Sequence, residues 1–149
     1  RLKAIAGAKS PPAVHLRGGY VEVVVEKRSP TPVRTALNAW YRTRAKAVLS
    51  AQLEELTATL RWIQTPPPVR FQIMKVQWGS CSPAGRLTLN PHLVKAPREC
   101  IDYVLLHELC HLREHNHSRR FYRMLDVHMP QWQRRKSRLD ALAENLLIC

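Results

Sequence analysis

Residues 107–111 read His-Glu-Leu-Cys-His, which places two imidazoles and a carboxylate in an H-E-x-x-H spacing. Residues four apart on a helix lie on nearly one face, about one turn along the axis. His107 and His111 can therefore direct ring nitrogens at one ion, at Zn–N distances near ~2.1 Å. Glu108 falls roughly 100° around the helix, where its carboxylate can serve a metal-activated water without becoming a ligand. Given the His and Glu content of the chain, the pattern arises by chance in only ~0.02 shuffled sequences, so it carries weight. The run Ile101–Leu112 around it is strongly apolar. Burying His, Glu and His without partners is costly, and metal ligation offsets that cost. Two hydrogen-bonded core histidines beside an ion-paired Glu are the alternative that needs no metal.

A catalytic zinc takes three protein ligands and keeps one position open. His115 continues the four-residue row but lies about 12 Å from His107 along a straight helix, whereas two nitrogens sharing a tetrahedral ion are only ~3.4 Å apart. The chain must turn after His111 and return. His117 fits that requirement better, with Asn116 in the left-handed conformation that helix exits often use; His115 then becomes a surface or supporting histidine. The interval H-E-x-x-H-x-x-E-x-x-H equals that of the metzincins, with Glu114 at their glycine. A metzincin is disfavoured, because that glycine permits a sharp turn Glu makes less readily. Glu114 could be a fourth ligand, an acceptor for an imidazole N–H, or an ion-pair partner of Arg113 or Arg119, the last two being preferred.

These side chains need a frame. Ala13–Arg17 and Tyr20–Glu26 read as strands flanking Gly18-Gly19, a hairpin turn. Residues 1–12, basic and ending in Pro11-Pro12, are expected to fray. Thr31-Pro32 reads as a helix start, and Val33, Leu37, Trp40, Val48, Leu56 and Leu60 recur at helical spacing, giving a long amphipathic helix ending near Ile63. Pro66-Pro67-Pro68 forms a stiff joint. Val69–Trp78 and Arg86–Asn90 read as strands around turn residues Gly79–Gly85. Pro97 opens a helix from Arg98 to about Arg113; Ser118 caps another through Met129; Gln131–Leu147 forms a last one, burying Trp132, Leu139, Leu142 and Leu146. The order gives an α+β fold.

Lys and Arg number 24 against 11 acids, a net charge of +13 with a pI near 10.4. Such a balance attracts polyanions, so nucleic acid is a candidate partner. No apolar run approaches the ~18 residues of a membrane span. Arg1-Leu2-Lys3-Ala4 offers neither an initiator Met nor a signal core, so further upstream sequence is an expectation. Cys81, Cys100, Cys110 and Cys149 form no C-x-x-C pair and read as reduced and mostly buried, which favours the cytoplasm.

Trp78-Gly79-Ser80-Cys81, Leu87-Thr88-Leu89-Asn90, Ala96-Pro97, Ile101-Asp102-Tyr103-Val104, His107-Glu108-Leu109-Cys110-His111-Leu112 and Asn116-His117-Ser118-x-x-Phe121 together resemble the YgjP-like metallopeptidase domain family. These are metal-dependent hydrolases of the zincin type, distantly related to SprT-like and WLM proteases. The match is close from about Phe71 to Leu139. Gln77 departs from it, standing where the family commonly has Arg. The resemblance implies a zincin-like single domain over residues 1–149, with its motif-bearing core at 69–139. It further implies a small antiparallel sheet packed on the long helix and the active-site helix, followed by C-terminal helices. Carried across residue by residue, His107, His111 and His117 are implied as zinc ligands and Glu108 as the catalytic base.

The expected reaction is hydrolysis of a peptide bond in a peptide or protein substrate by a metal-activated water, Glu108 moving the proton. Another divalent transition metal could replace zinc. Arg86–Asn90 could offer its edge to an extended substrate or simply pair within the sheet. Tyr122, His128 and a nearby Arg are candidate oxyanion donors. Trp78 and Cys81 could line the site or serve packing. Two rival readings are a nucleic-acid-associated protease acting on DNA-bound proteins and a non-catalytic zincin interaction module.

Overall fold

The computed structural model describes residues 2–5, 13–17, 20–24 and 30–147, with side chains from residue 32 to 146. The chain divides into two compact units, residues 1–43 and 44–148. In the first, β1 (Leu2–Ile5), β2 (Ala13–Arg17) and β3 (Tyr20–Val24) form a sheet in the order β1-β3-β2. β2 and β3 pair antiparallel, with Arg17 opposite Tyr20; Gly18-Gly19 itself lies outside the described residues. Part of the segment expected to fray is ordered, since Leu2–Ile5 pairs in parallel with β3. Basic composition carries no information about a neighbouring strand whose free edge can satisfy its backbone groups. Arg1, residues 6–12 and Cys149 lie outside the described residues. Helix α1 (Pro30–Thr59) begins in this unit, where Ala36 and Leu37 are buried with Val33 and Tyr41 against them.

Within the second unit α1 buries Ala45, Leu49, Leu53 and, just past its end, Leu60. Val48, expected inside, is 38% exposed; the buried stripe runs one position later. Gln52 is also buried, and its Nε2 donates to Arg98 O (3.0 Å) and Asp102 Oδ1 (2.7 Å). This satisfies a buried amide and ties α1 to the start of the next helix.

A second sheet holds β4 (Val69–Phe71), β5 (Gly79–Cys81) and β6 (Leu87–Leu89) in the order β4-β6-β5. The antiparallel pair is β5 with β6, and β4 joins β6 in parallel. The strand expected over Val69–Trp78 is therefore short. After Phe71 the chain leaves the ladder because the Asn90 side chain captures the carbonyls of Met74 (2.8 Å) and Gln77 (3.0 Å). Gly79–Cys81, expected in a turn, is strand; the turn is Ser82–Arg86, where Gly85 takes φ +89°. A 3-10 turn at Pro91–Lys95, capped by Asn90 Oδ1 accepting from His92 N (3.1 Å), leads into helix α2 (Arg98–Cys110).

Helix α2 is apolar nearly all round, as a core helix must be. Leu105, Leu106, Leu109 and Cys110 are fully buried among Leu87, Leu89, Leu93, Phe121, Leu125 and Leu139. Helices α3 (Arg119–His128) and α4 (Trp132–Leu147) pack on it. Ser118 caps α3 as expected, its Oγ accepting from Phe121 N. On α4, Trp132 and Leu139 are buried, while Leu142 and Leu146 are half-buried. No helix among the described residues is long and apolar enough to cross a membrane.

Candidate metal centre and active-site groove

His107 and His111 lie one turn apart at the end of α2. Beyond His111 the chain tightens, with Leu112 N bonding Leu109 O and both Arg113 N and Glu114 N bonding Cys110 O. The segment then returns, and Ser118 N meets Asn116 O at 2.8 Å. Asn116 is not left-handed, since no described residue other than glycine has positive φ. Successive short closures reverse the chain instead. Ser118 then starts α3 immediately after His117, holding that ring over the others.

The His117 Nε2 stands 3.2 Å from His107 Nε2 and 3.1 Å from His111 Nε2. These separations approach the ~3.4 Å edge of a tetrahedral zinc site. The three rings form a group that could hold a metal ion. Protons sharpen the point. His111 Nδ1 lies 3.0 Å from the Glu114 carbonyl, which can only accept, so Nδ1 carries the hydrogen and Nε2 a lone pair. His107 Nδ1 faces the Tyr103 hydroxyl at 3.4 Å. Burial, aided by the charges of His111 and His117, holds His107 down at about 4. His111 is lowered as well, by burial first. The His111 Nε2 lone pair then faces His117 Nε2, where a shared cation or an imidazole N–H can satisfy it. The fully buried Phe121 forms the floor, its centroid 4.9, 4.6 and 4.9 Å from rings 107, 111 and 117.

Glu114 contributes its backbone carbonyl to His111, while its carboxylate faces Arg120 at 4.0 Å rather than Arg113 or Arg119. The exposed His115 borders the same hollow without joining the cluster. Glu108 is almost fully buried, with Oε1 3.8 Å from His107 Nε2 and Oε2 lacking any hydrogen-bond partner. Burial pushes its carboxyl up to about 7. An unpartnered buried carboxyl oxygen beside three converging imidazole nitrogens suits a proton acceptor at a metal site.

β5 faces these groups across a hollow of about 280 Å³. Gly79 lets β5 come close there, since a Cβ would lie 3.1 Å from Glu108 Cγ, tighter than ordinary contact. Asn90 N donates to Trp78 O and Ser82 N to Arg86 O, both at 2.9 Å. Antiparallel ladders alternate, so the N–H and C=O of Gly79 and Cys81 point to the free edge of β5. Among the described residues the available edge is thus β5; of the two alternatives for Arg86–Asn90, pairing within the sheet holds, since β6 is central and paired on both sides. Trp78 and Cys81 do both things considered for them, lining hollows and packing on the core. A second hollow of about 190 Å³ shares His107 and Glu108 and is walled by Trp78, Tyr103, Val104 and Leu139, with the Lys136–Asp140 pair (2.8 Å) beside it.

Of the candidate donors, Tyr122 lies with its ring 6.3 Å from that of His117. His128 Nε2 instead accepts from the Trp62 indole at 3.2 Å. Sequence reasoning missed Tyr103, although it stands four residues before His107 on the same helix face. It also missed the roles of Gly79 and of the Glu114 carbonyl, for which no local pattern exists.

Comparison with known proteins agrees with this geometry. The family model of the YgjP-like metallopeptidase domain matches residues 1–142. Among solved structures, the chain is similar to the metallopeptidase zymogen of Pyrococcus abyssi abylysin, at 29% identity and a TM-score of 0.55, covering 66% of this chain and 94% of that one. The zymogen of Methanocaldococcus jannaschii jannalysin shares the fold, at 23% identity, a TM-score of 0.50, and 66% and 93% coverage. No curated protein matches. With the family model spanning nearly all of its length and an H-E-x-x-H helix completed by a third histidine, the chain belongs to the YgjP-like family of metal-dependent metallopeptidases.

Proposed function

We propose that His107, His111 and His117 hold one zinc ion and that Glu108 is the general base of a peptide-bond hydrolase. The observation that carries this reading is the convergence of three Nε2 atoms, His117 standing 3.1 and 3.2 Å from the other two, beside the unpartnered Glu108 Oε2. Bound zinc supplies Lewis acidity, lowering the pKa of water toward ~7 and polarising the scissile carbonyl. Glu108 then accepts the proton of the attacking water on its carboxylate and delivers it to the leaving amine. Its burial supports the first step, because desolvation raises the proton affinity of the carboxylate, and the bound ion's charge, by lowering that affinity again, favours the second. The free N–H and C=O groups of Gly79 and Cys81 align an extended peptide. Tyr122, whose ring stands 6.3 Å from that of His117, is the candidate donor to developing oxyanion charge.

The test pairs elemental analysis with peptide hydrolysis. Wild type should carry one equivalent of zinc and cleave; His111→Ala should carry none; Glu108→Gln should keep the metal and lose cleavage. Metal in His111→Ala, or undiminished cleavage by Glu108→Gln, refutes the assignment. The net charge of +13 favours nucleic acid as a second partner. That reading requires retention on DNA at low salt and release as salt rises. The described cysteines, Cys81, Cys100 and Cys110, are free, which supports a cytoplasmic location.

A further inference from the structure

The face of the second sheet turned away from α2 has a chemistry of its own. Gly79 points toward Glu108, so by strand alternation Ser80 points to the opposite face. Register places Arg70, Thr88 and Ser80 opposite one another in one cross-strand row. Pro68, Arg86 and Ser82 form the next, since the same register continues one residue on. Together these six bound a concavity of about 480 Å³. Its side-chain polar groups are two guanidiniums, three hydroxyls and the Cys81 thiol, all able to donate, with no carboxylate among the lining residues. Arg70 and Arg86 are both exposed, and among the described residues neither has an acidic partner. Ser80 and Cys81 line both this concavity and the metal-site hollow, so the two adjoin along β5.

We infer that this concavity is a substrate subsite for an acidic side chain. Peptides cleaved by the enzyme would then carry Asp or Glu near the scissile bond, on the Cys81 side. The inference rests on the hydrolase reading above and specifies its substrate class. A peptide paired with the β5 edge lies ~4.8 Å from that strand, and alternate side chains fall on the outer face. A carboxylate there meets the Ser80 and Ser82 hydroxyls first. Beyond them stands Arg86, just before the central strand, whose guanidinium can reach back to bind it in a forked, charge-assisted pair. Arg70, on the far strand, adds positive potential from the same row. The overall positive charge of the chain favours encounter with such substrates.

The test compares two fluorogenic peptides that differ only in Glu against Gln at this position, using zinc-loaded protein. Wild type should prefer the Glu peptide by about 10- to 100-fold in kcat/KM, the range for one charge-assisted hydrogen bond. In Arg70→Ala/Arg86→Ala that ratio should fall to near one, Arg86→Glu should shift preference to a Lys peptide, and an Arg61→Ala control should keep the wild-type ratio. Cleavage of both peptides by wild type without discrimination overturns the inference and leaves the hydrolase reading standing. If neither is cleaved, the hydrolase reading fails, and fluorescence anisotropy of peptide binding decides the subsite. Tighter binding of the Glu peptide that depends on Arg86 upholds it, and equal binding overturns it. Retention of a DNA oligonucleotide that requires both arginines, with no discrimination between peptides, assigns the face to nucleic acid and also overturns it.

Discussion

Gly79→Ala tests whether the close approach of β5 to α2 is what aims Glu108, the proposed general base. The added methyl would lie 3.1 Å from Glu108 Cγ, 3.3 Å from Leu89 Cδ2 and 3.4 Å from the Thr88 carbonyl. Ordinary contact begins near ~3.5 Å, so something must give by a few tenths of an ångström. Leu89 is fully buried, and β5 is pinned at both ends by the Asn90–Trp78 and Ser82–Arg86 bonds. Glu108, with Oε2 unbonded, is the softest of the three neighbours. Overpacking of this size costs about 1–2 kcal/mol, or roughly 2–8 °C in Tm for a chain of this length. The catalytic loss should be larger, because a misplacement approaching 1 Å at a reacting group costs about 100-fold. We expect kcat to fall by about 10- to 100-fold with zinc stoichiometry and peptide KM little changed, measured by steady-state kinetics beside elemental analysis. Wild-type kcat in the alanine variant would refute the idea that the glycine serves Glu108. Loss of metal would show that the strand, not the base, had moved the site.

Chelation should destabilise the protein by about 4 kcal/mol when zinc had been present at a thousand times its Kd, read as a fall in urea midpoint; an unchanged midpoint would mean no ion is held. In the metal-free protein Glu108 and His107 act in opposite senses on stability. Glu108, raised from 4.5 to about 7, contributes stability that is complete below pH 4.5 and lost as pH rises through 7. His107, lowered from 6.5 to about 4, contributes stability that is complete above pH 6.5 and lost as pH falls through 4. Glu108→Gln removes the first effect, so the chelated variant should lose stability on acidification more steeply than chelated wild type, by about 1.4 kcal/mol per pH unit between 4.5 and 6.5; parallel curves would contradict the assignment. Asn90→Ala strands the carbonyls of Met74 and Gln77 and the His92 N–H, and should cost about 2–4 kcal/mol in denaturant titration.

Features whose causes lie within a few residues were legible in the sequence. Four-residue spacing brings His107 and His111 together, the reach of one turn demands a returning ligand, and Ser118 ahead of Phe121 announces the cap that positions it. Features with distant causes were not. Val69–Trp78 has the composition of one strand, yet the amide of Asn90, more than ten residues away, draws its second half out of the ladder. Gly79 reads as turn glycine until the helix behind it is known, when its missing Cβ becomes the reason β5 can approach Glu108. The Val48 error has a different origin. Over a helix of 30 residues, a sparse set of apolar positions fits two neighbouring registers, and the fully buried Ala45 and Leu49 select the later one.

Burial explains why this site calls for a cation. An apolar, enclosed α2 is rigid, which fixes His107, Glu108 and His111 relative to one another. The same enclosure pushes Glu108 up to about 7 and holds His107 at about 4. Without a cation the cluster therefore crowds three ring nitrogens together beside a Glu108 oxygen with no donor. Hydrogen bonds within the protein relieve this only in part: His111 commits its proton to the Glu114 carbonyl, one His117 Nε2–H must serve both facing nitrogens, and Glu108 Oε2 gains no donor. A divalent ion relieves it by accepting three lone pairs and lowering the proton affinity of Glu108 through its charge. The packing that stabilises the fold thus leaves a local electrostatic deficit, and a bound divalent ion would remove it.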